Sequence, residues 1–224
     1  MKLAKDCIDL GVQTNQREPM LEFWGQTVGL PYEELLKVGG GVHQHRHGLN
    51  GSVFKLNNVR SELTSDPTGY RELIIARDGI DEPRTLTDPD GNRVTLVPPG
   101  TDDINRIGIR LGVRSIEAFA DFYVDVLQIE QLAHNRFRWG TTVFLLDEDP
   151  SHVPCASMSG MGYRYLTVQV WDVDAEHAGV LERGGTEGRA PVTLGTTARI
   201  SFIKDPDGNW IEVSQRASLT GALE

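Results

Sequence analysis

Asp88-Pro89-Asp90-Gly91-Asn92 and Asp205-Pro206-Asp207-Gly208-Asn209 are one pentapeptide written twice in the same chain. As chemistry it is a turn. Proline presets φ, glycine supplies a positive φ, and the short Asp and Asn side chains satisfy nearby backbone groups. Each copy runs into residues that alternate in polarity, Arg93-Val94-Thr95-Leu96-Val97 and Trp210-Ile211-Glu212-Val213-Ser214. A turn followed by a period-two segment is a hairpin with one buried face.

Reading outward, the likeness between the two halves continues. Tyr70-Arg71-Glu72-Leu73 matches Tyr163-Arg164-Tyr165-Leu166, each opening a strand. Phe23-Trp24 with Val28 and Leu30 matches Phe122-Tyr123 with Leu127 and Ile129 at the same spacing. Before each aromatic pair lies an alternating stretch, Ile8 to Val12 and Ile107 to Leu111. A repeat of about 100 residues means duplicated domains rather than a solenoid. Ile116, Phe119, Ala120, Tyr123, Val126 and Leu127 keep helical spacing behind Ser115, a plausible N-cap. Residues 175–184 read as a further helix closed by Gly184-Gly185. The halves differ in one respect. Tyr163 to Asp205 spans 42 positions and Tyr70 to Asp88 only 18, so the first half lacks that helix and a strand. The expectation is an α+β protein of two similar domains, 1–99 and 100–224, joined through a Pro- and Gly-bearing linker at 98–106. Ile8, Leu10, Val12, Ile107, Ile109, Leu111, Phe122, Val168 and Val170 are its predicted core.

Composition narrows the partners. The 224 residues carry a formal net charge of −10 with the acids dispersed, which argues against a nucleic-acid partner. Cys7 and Cys155 make no CxxC pair and read as reduced, buried thiols. The N-terminus has no signal-peptide pattern, and no apolar run approaches the roughly 18 residues a membrane span needs. A cytoplasmic protein meeting a small-molecule substrate is the default, with a homodimer left open.

The doubled hairpin and the aromatic pair on each first helix resemble the vicinal-oxygen-chelate superfamily of glyoxalases, bleomycin-resistance proteins and extradiol dioxygenases. The resemblance covers nearly the whole chain. It implies four βαβββ modules, the second trimmed here, whose paired sheets form cups around a substrate. In metal-using members the ligands come from the first and last strands of modules. The matching positions here are Asp9 and Lys55 in module one, Glu72 and Thr95 in module two, Gly108 in module three, and Tyr165 and Glu212 in module four. This departs from the His/Glu/His/Glu set that the glyoxalases resemble and from the His/His/Glu set of extradiol enzymes. Pairing modules within a half would join Asp9 to Glu72; pairing them across halves would join Asp9 to Tyr165 and Glu212.

One segment stands apart, Val42-His43-Gln44-His45-Arg46-His47, which puts three histidines on one face of a strand. Imidazoles two residues apart can converge on a divalent ion, and with Asp9 they would suit iron, manganese, nickel or zinc. The register decides. A two-residue loop at Asn50-Gly51 pairs the histidines with Phe54 and Leu56; a bulged loop turns them to the side of Val53, Lys55 and Glu212. The predicted metal set is Asp9, His43, His45 and His47 with Glu72 or Glu212, and the predicted catalytic groups are Glu212, Glu72 and Tyr165. His134, His152 and His177 have no such company and are expected at the surface. Two functions compete. One is a metal-dependent lyase or isomerase, or an iron dioxygenase, acting on a small oxygenated substrate. The other is a metal-free binding or resistance protein with Trp139, Tyr165 or Trp210 lining a groove.

Overall fold

A computed structural model describes residues 1–155 and 157–223. The first module is β1 (Asp9–Thr14), α1 (Arg17–Glu22) running into a π-helical turn at Phe23–Thr27, β2 (Tyr32–Lys37), β3 (Val42–Leu49) and β4 (Ser52–Val59). The second is β5 (Tyr70–Ala76), β6 (Arg84–Thr87) and β7 (Arg93–Val97), with no helix, as the shorter spacing predicts. The third is β8 (Ile107–Val113), α2 (Ile116–Asp121) with its own π turn at Phe122–Val126, β9 (Glu130–Ala133), β10 (Arg136–Trp139) and β11 (Thr142–Glu148). The fourth is β12 (Gly162–Gln169), α3 (Val173–Glu182), β13 (Thr186–Leu194), β14 (Ala198–Lys204) and β15 (Trp210–Arg216), followed by the short α4 (Ala217–Thr220). Ser115 caps α2 through Ala118 N at 3.2 Å, as its place in the sequence predicts. No helix among the described residues is long and apolar enough to cross a membrane.

The modules pair across the halves of the chain. One sheet has the order β13-β14-β15-β12-β1-β4-β3-β2 and so joins module four to module one. The other, β6-β7-β5-β8-β11-β10-β9, joins module two to module three. The nine predicted core residues are all buried, packed with the helices and with Trp24, Phe54, Tyr123 and Phe144 in one apolar cluster.

The repeated pentapeptides stitch the two sheets together. Asp88 Oδ1 accepts from the backbone N of Asp90 and of Asn92, and Asp205 Oδ1 does the same for Asp207 and Asn209. Each closed turn then docks on the module that its sheet does not contain. Asp90 accepts from Gln16 Nε2 at 2.7 Å, just after β1, and Asp207 accepts from Arg114 N at 2.9 Å, just after β8. Tyr70 and Tyr163 complete the pattern, donating to the carbonyls of Trp210 and Arg93.

The residue after each of these tyrosines is a bulge. The β5–β8 register jumps from Tyr70↔Leu111 to Glu72↔Arg110, skipping Arg71. The β1–β12 register jumps from Val12↔Tyr163 to Gly11↔Tyr165, skipping Arg164. An extra residue shifts the alternation, so Tyr70 and Tyr163 join the helix-side core while Glu72 and Tyr165 face the other side of their sheets.

Candidate functional site

Asn50 and Gly51 both have positive φ, 48° and 94°, and form a two-residue hairpin loop with Leu49 opposite Ser52. That register puts His47 opposite Phe54 and His45 opposite Leu56, on the helix side of the sheet. The expected convergence of His43, His45 and His47 with Asp9 is therefore corrected: these side chains leave the opposite face. His47 Nδ1 lies 3.4 Å from Leu30 O, while both ring nitrogens of His45 and Nε2 of His47 are buried without a partner. Burial lowers both pKa values from 6.5, with Arg17 and the neighbouring histidines adding to the effect at His45.

These shifts set an expected pH response. Below about pH 6.5 the unfolded chain takes up protons that the folded imidazoles refuse, so stability falls as pH drops through that window. Asp205 has the opposite sign. Burial pushes its carboxyl up to about 7 from 3.8, so its contribution falls as pH rises between those values. The double variant His45→Gln/His47→Gln keeps the Asp205 term and removes the other. Its melting temperature should drop less than the wild type's between about pH 7.5 and about pH 5.5. An equal drop in both proteins would contradict the neutral, buried state of these histidines.

On the other face of the first sheet, Gln44 and Arg46 stand opposite Asn57 and Lys55, and further along come Asp9, Tyr165, Thr167, Gln169 and Glu212. Lys55 on β4 and Glu212 on β15 are separated by β1 and β12, about 14 Å across at ordinary strand spacing. They lean in over those strands and meet, Nζ to Oε2, at 3.0 Å. Thr167 Oγ1 lies 2.5 Å from both groups. Tyr165 crosses Gly11, where any Cβ would overlap its ring, so a side chain at residue 11 is excluded. Its hydroxyl oxygen accepts from Asn57 Nδ2 at 3.2 Å and Gln44 Nε2 at 3.4 Å, which leaves its own proton to be donated. Burial pushes the Tyr165 phenol well up, with Glu212 adding to the effect, so it stays protonated.

Asp9 is held separately. Its Oδ1 accepts from Val53 N at 2.9 Å and pairs with Lys5 Nζ at 3.0 Å, and Gln169 Nε2 lies 3.5 Å from Oδ2. The two carboxylates that the sequence proposes as shared ligands thus each carry an ammonium of their own. Among the described residues no three His, Cys, Asp or Glu side chains are grouped as a metal ion would require. The donor set does not fit a divalent ion. Lys55, standing at a ligand position, puts a positive charge and three N–H donors where the ion needs a lone pair.

Glu72 belongs to the other sheet and does not meet Asp9. Its Oε1 accepts from Thr95 Oγ1 at 2.5 Å and its Oε2 from Arg110 Nε at 2.9 Å, with Arg93 3.4 Å away. Beside these, Ile74, Ala76, Val97, Ile104, Val143 and Leu145 form an apolar cluster on that face, with Arg136 and Arg138 opposite Leu145 and Val143. Ile104 comes from the linker and lies over Gly108, where a Cβ would collide with it. Ile104 thus packs on that face of the sheet, while Glu72 and Thr95 are bonded to each other. Two of the three lone histidines also depart from expectation. His177 is buried with Nε2 2.9 Å from Glu187, and buried His152 lies 3.1 Å from Arg71, whereas His134 is exposed. Trp139 is core, and Trp210 packs on Phe202 beneath Lys204.

Two sheets, each joining one module from each half and one of them carrying a polar face, make the duplicated fold of the vicinal-oxygen-chelate class. Residues 104–213 match the family model of the Glyoxalase/Bleomycin resistance protein/Dioxygenase superfamily, and this part of the chain belongs to that superfamily. No curated protein matches it. Among solved structures it is similar to glyoxalase I from Zea mays at 17% identity and TM-score 0.72, over 93% of this chain and 92% of that one. A Bacillus subtilis protein provisionally described as a dioxygenase gives 12% identity and TM-score 0.68, over 96% and 85%. The cppA protein of Streptococcus pneumoniae gives 11% and 0.57, over 96% and 98%. At these identities the likeness is one of fold.

Proposed function

We propose that the cup of modules one and four binds a small oxygenated molecule without a metal ion, the Lys55 ammonium supplying the positive charge. The observation that carries this reading is the Lys55–Glu212–Thr167 cluster, in which the cation is covalently part of the chain. Lys55 and the Tyr165 hydroxyl offer protons to a ligand oxygen, and Glu212 offers an acceptor. That is enough to orient a carbonyl or hydroxyl group and, with a ligand of suitable pKa, to move a proton. Small-molecule binding is common among vicinal-oxygen-chelate proteins, and many of them are dimers.

Metal-dependent lyase or isomerase chemistry would need Asp9 and Glu212 on one ion, and an iron dioxygenase would need histidines on this face. Neither donor set is assembled among the described residues. The test is elemental analysis of protein purified without added metal, with melting measured before and after chelation. The expected result is far less than one ion per chain and no change on chelation. A stoichiometric ion whose removal lowers the melting temperature would overturn the reading.

A further inference from the structure

The reading above leaves part of the cup unused. Arg46 stands on β3 directly opposite Lys55 and is only 7% exposed, yet its Nε and Nη1 are buried without a hydrogen-bond partner. Its one ionic neighbour is Glu34, on β2, at 3.4 Å from Nε. That separation is long for a charge-assisted bond, and the Glu34 side chain is 49% exposed, where solvent screens it. A guanidinium cannot shed its proton, so buried N–H groups without acceptors are a destabilising arrangement unless something else meets them.

A second arginine shares this face of the sheet, on β15 four residues beyond Glu212. Arg216, at the end of β15, makes no side-chain hydrogen bond or ion pair with any other described residue. Burial lowers its pKa, and repulsion from Arg46 lowers it further, against the pull of Glu34, Glu212 and Asp9. Those same groups close the charge count. Asp9 is matched by Lys5, Glu212 by Lys55 and Glu34 loosely by Arg46, which leaves the Arg216 cation over. Two further groups of this face are unspent: the Tyr165 hydroxyl proton, and Gln169 Oε1, which is buried without a partner.

We propose that Arg46 and Arg216 form an oxyanion site in this cup, taking the carboxylate or phosphate group of a small hydroxy or keto compound. The proposal rests on the metal-free reading and adds the ligand's charge and class. A planar guanidinium presents paired N–H donors matched to a carboxylate or phosphate edge, and a second one across the cup fixes its orientation. Tyr165 then donates to the remaining oxygen of the ligand, and where that oxygen is a hydroxyl Gln169 Oε1 accepts from it. A single negative charge neutralises the surplus that Arg216 leaves.

The experiment is thermal melting at constant ionic strength with three probes: pyruvate, inorganic phosphate and the uncharged hydroxyacetone, each against chloride. At about twenty times its Kd a ligand of the folded state should raise the melting temperature of a chain this size by roughly 4–7 °C. The expected result is such a rise with pyruvate or phosphate, absent in Arg216→Gln and reduced in Arg46→Lys; which of the two anions acts separates an organic acid from a phosphate. Arg216 is half-buried at the sheet end, so its variant should fold even if the Arg46 one does not. Failure of both anions to exceed chloride overturns the site, as does a rise that is unchanged in Arg216→Gln. Stabilisation by hydroxyacetone alone also overturns it while leaving the metal-free cup standing. An anion effect lost in Arg216→Gln, in protein that nevertheless carries stoichiometric metal, keeps this site and removes the reading beneath it.

Discussion

Lys55→Met should lower stability by about 3 kcal/mol, because it removes one member of a buried ion pair and strands the other. Lys55 is 4% exposed and Glu212 14%, so the glutamate cannot simply turn to water when its partner goes. Thr167 remains as a single hydrogen-bond donor, which offsets a fraction of that loss. At roughly 2–4 °C per kcal/mol for a chain of this size, the melting temperature falls by about 6–12 °C. Glu212→Gln strands the Lys55 ammonium in turn, but it should be milder, since the amide still hydrogen-bonds to both Lys55 and Thr167. In the double variant Lys55→Met/Glu212→Gln neither charge is left unpaired. It should recover part of the Lys55→Met loss, with a coupling of about 1–3 kcal/mol between the two sites. Additive losses would mean that the ammonium and carboxylate do not act as a pair, and the metal-free reading would lose its main support.

Part of this site is legible from residues alone. Asp9, Tyr165 and Glu212 take the cup-facing positions that the repeat assigns them, because a period-two strand fixes which side chains share a face once the register is known. Lys55 is placed by the same alignment. What the sequence leaves open is the pairing of modules. It depends on tertiary contacts such as β1 on β12 and β5 on β8, for which no local pattern exists. The histidines mislead for a related reason. Alternation puts them on one face, but which face turns on whether two or three residues close the hairpin at Asn50-Gly51, and the two-residue loop turns them to the helices. Arg46 and Arg216 carry no signal of their own, since a lone arginine in an alternating strand ordinarily reads as a solvated side chain.

The second cup shows a different limit. Ile104 sits in a segment that composition marks as linker, and nothing local distinguishes an apolar linker residue from one that packs over Gly108. The bulges at Arg71 and Arg164 are equally silent, because a bulge inserts one residue without breaking the run of strand formers. Their equivalence becomes visible only in the register, and it shows that the repeat extends to the fine geometry of the sheets.

The bulge at Arg164 carries the other large effect. Its side chain is fully buried, with Nη1 2.5 Å from Asp66 O, Nε 3.3 Å from Met158 O, and Nη2 bonded to Ser157 O and 3.4 Å from Ser159 O. One guanidinium therefore satisfies four carbonyls on two separate segments. A loop without regular hydrogen bonding needs such a donor wherever it is buried. Arg164→Met leaves those carbonyls unpaired and should lower stability by about 3–5 kcal/mol, or roughly 10 °C or more in melting temperature. Arg164→Lys should recover little, since an ammonium donates from one point and cannot span the fork. Arg71, its counterpart in the other sheet, is the internal control. Its side chain is 42% exposed, 3.5 Å from Asp149 and 3.1 Å from His152 Nδ1, so Arg71→Met should cost no more than about 1 kcal/mol. The effect of Arg164 should also reach the cup. Met158, from the segment it holds, packs against the Ala198, Ile200 and Phe202 cluster of β14, next to β15, so freeing that segment should loosen the wall that carries Glu212 and Arg216. Limited proteolysis should then cut Arg164→Met first near residues 157–159, while wild type and Arg71→Met resist. A melting temperature for Arg164→Met within about 2 °C of wild type would mean that water serves those carbonyls as well as the guanidinium does, and that the bulge has some other use.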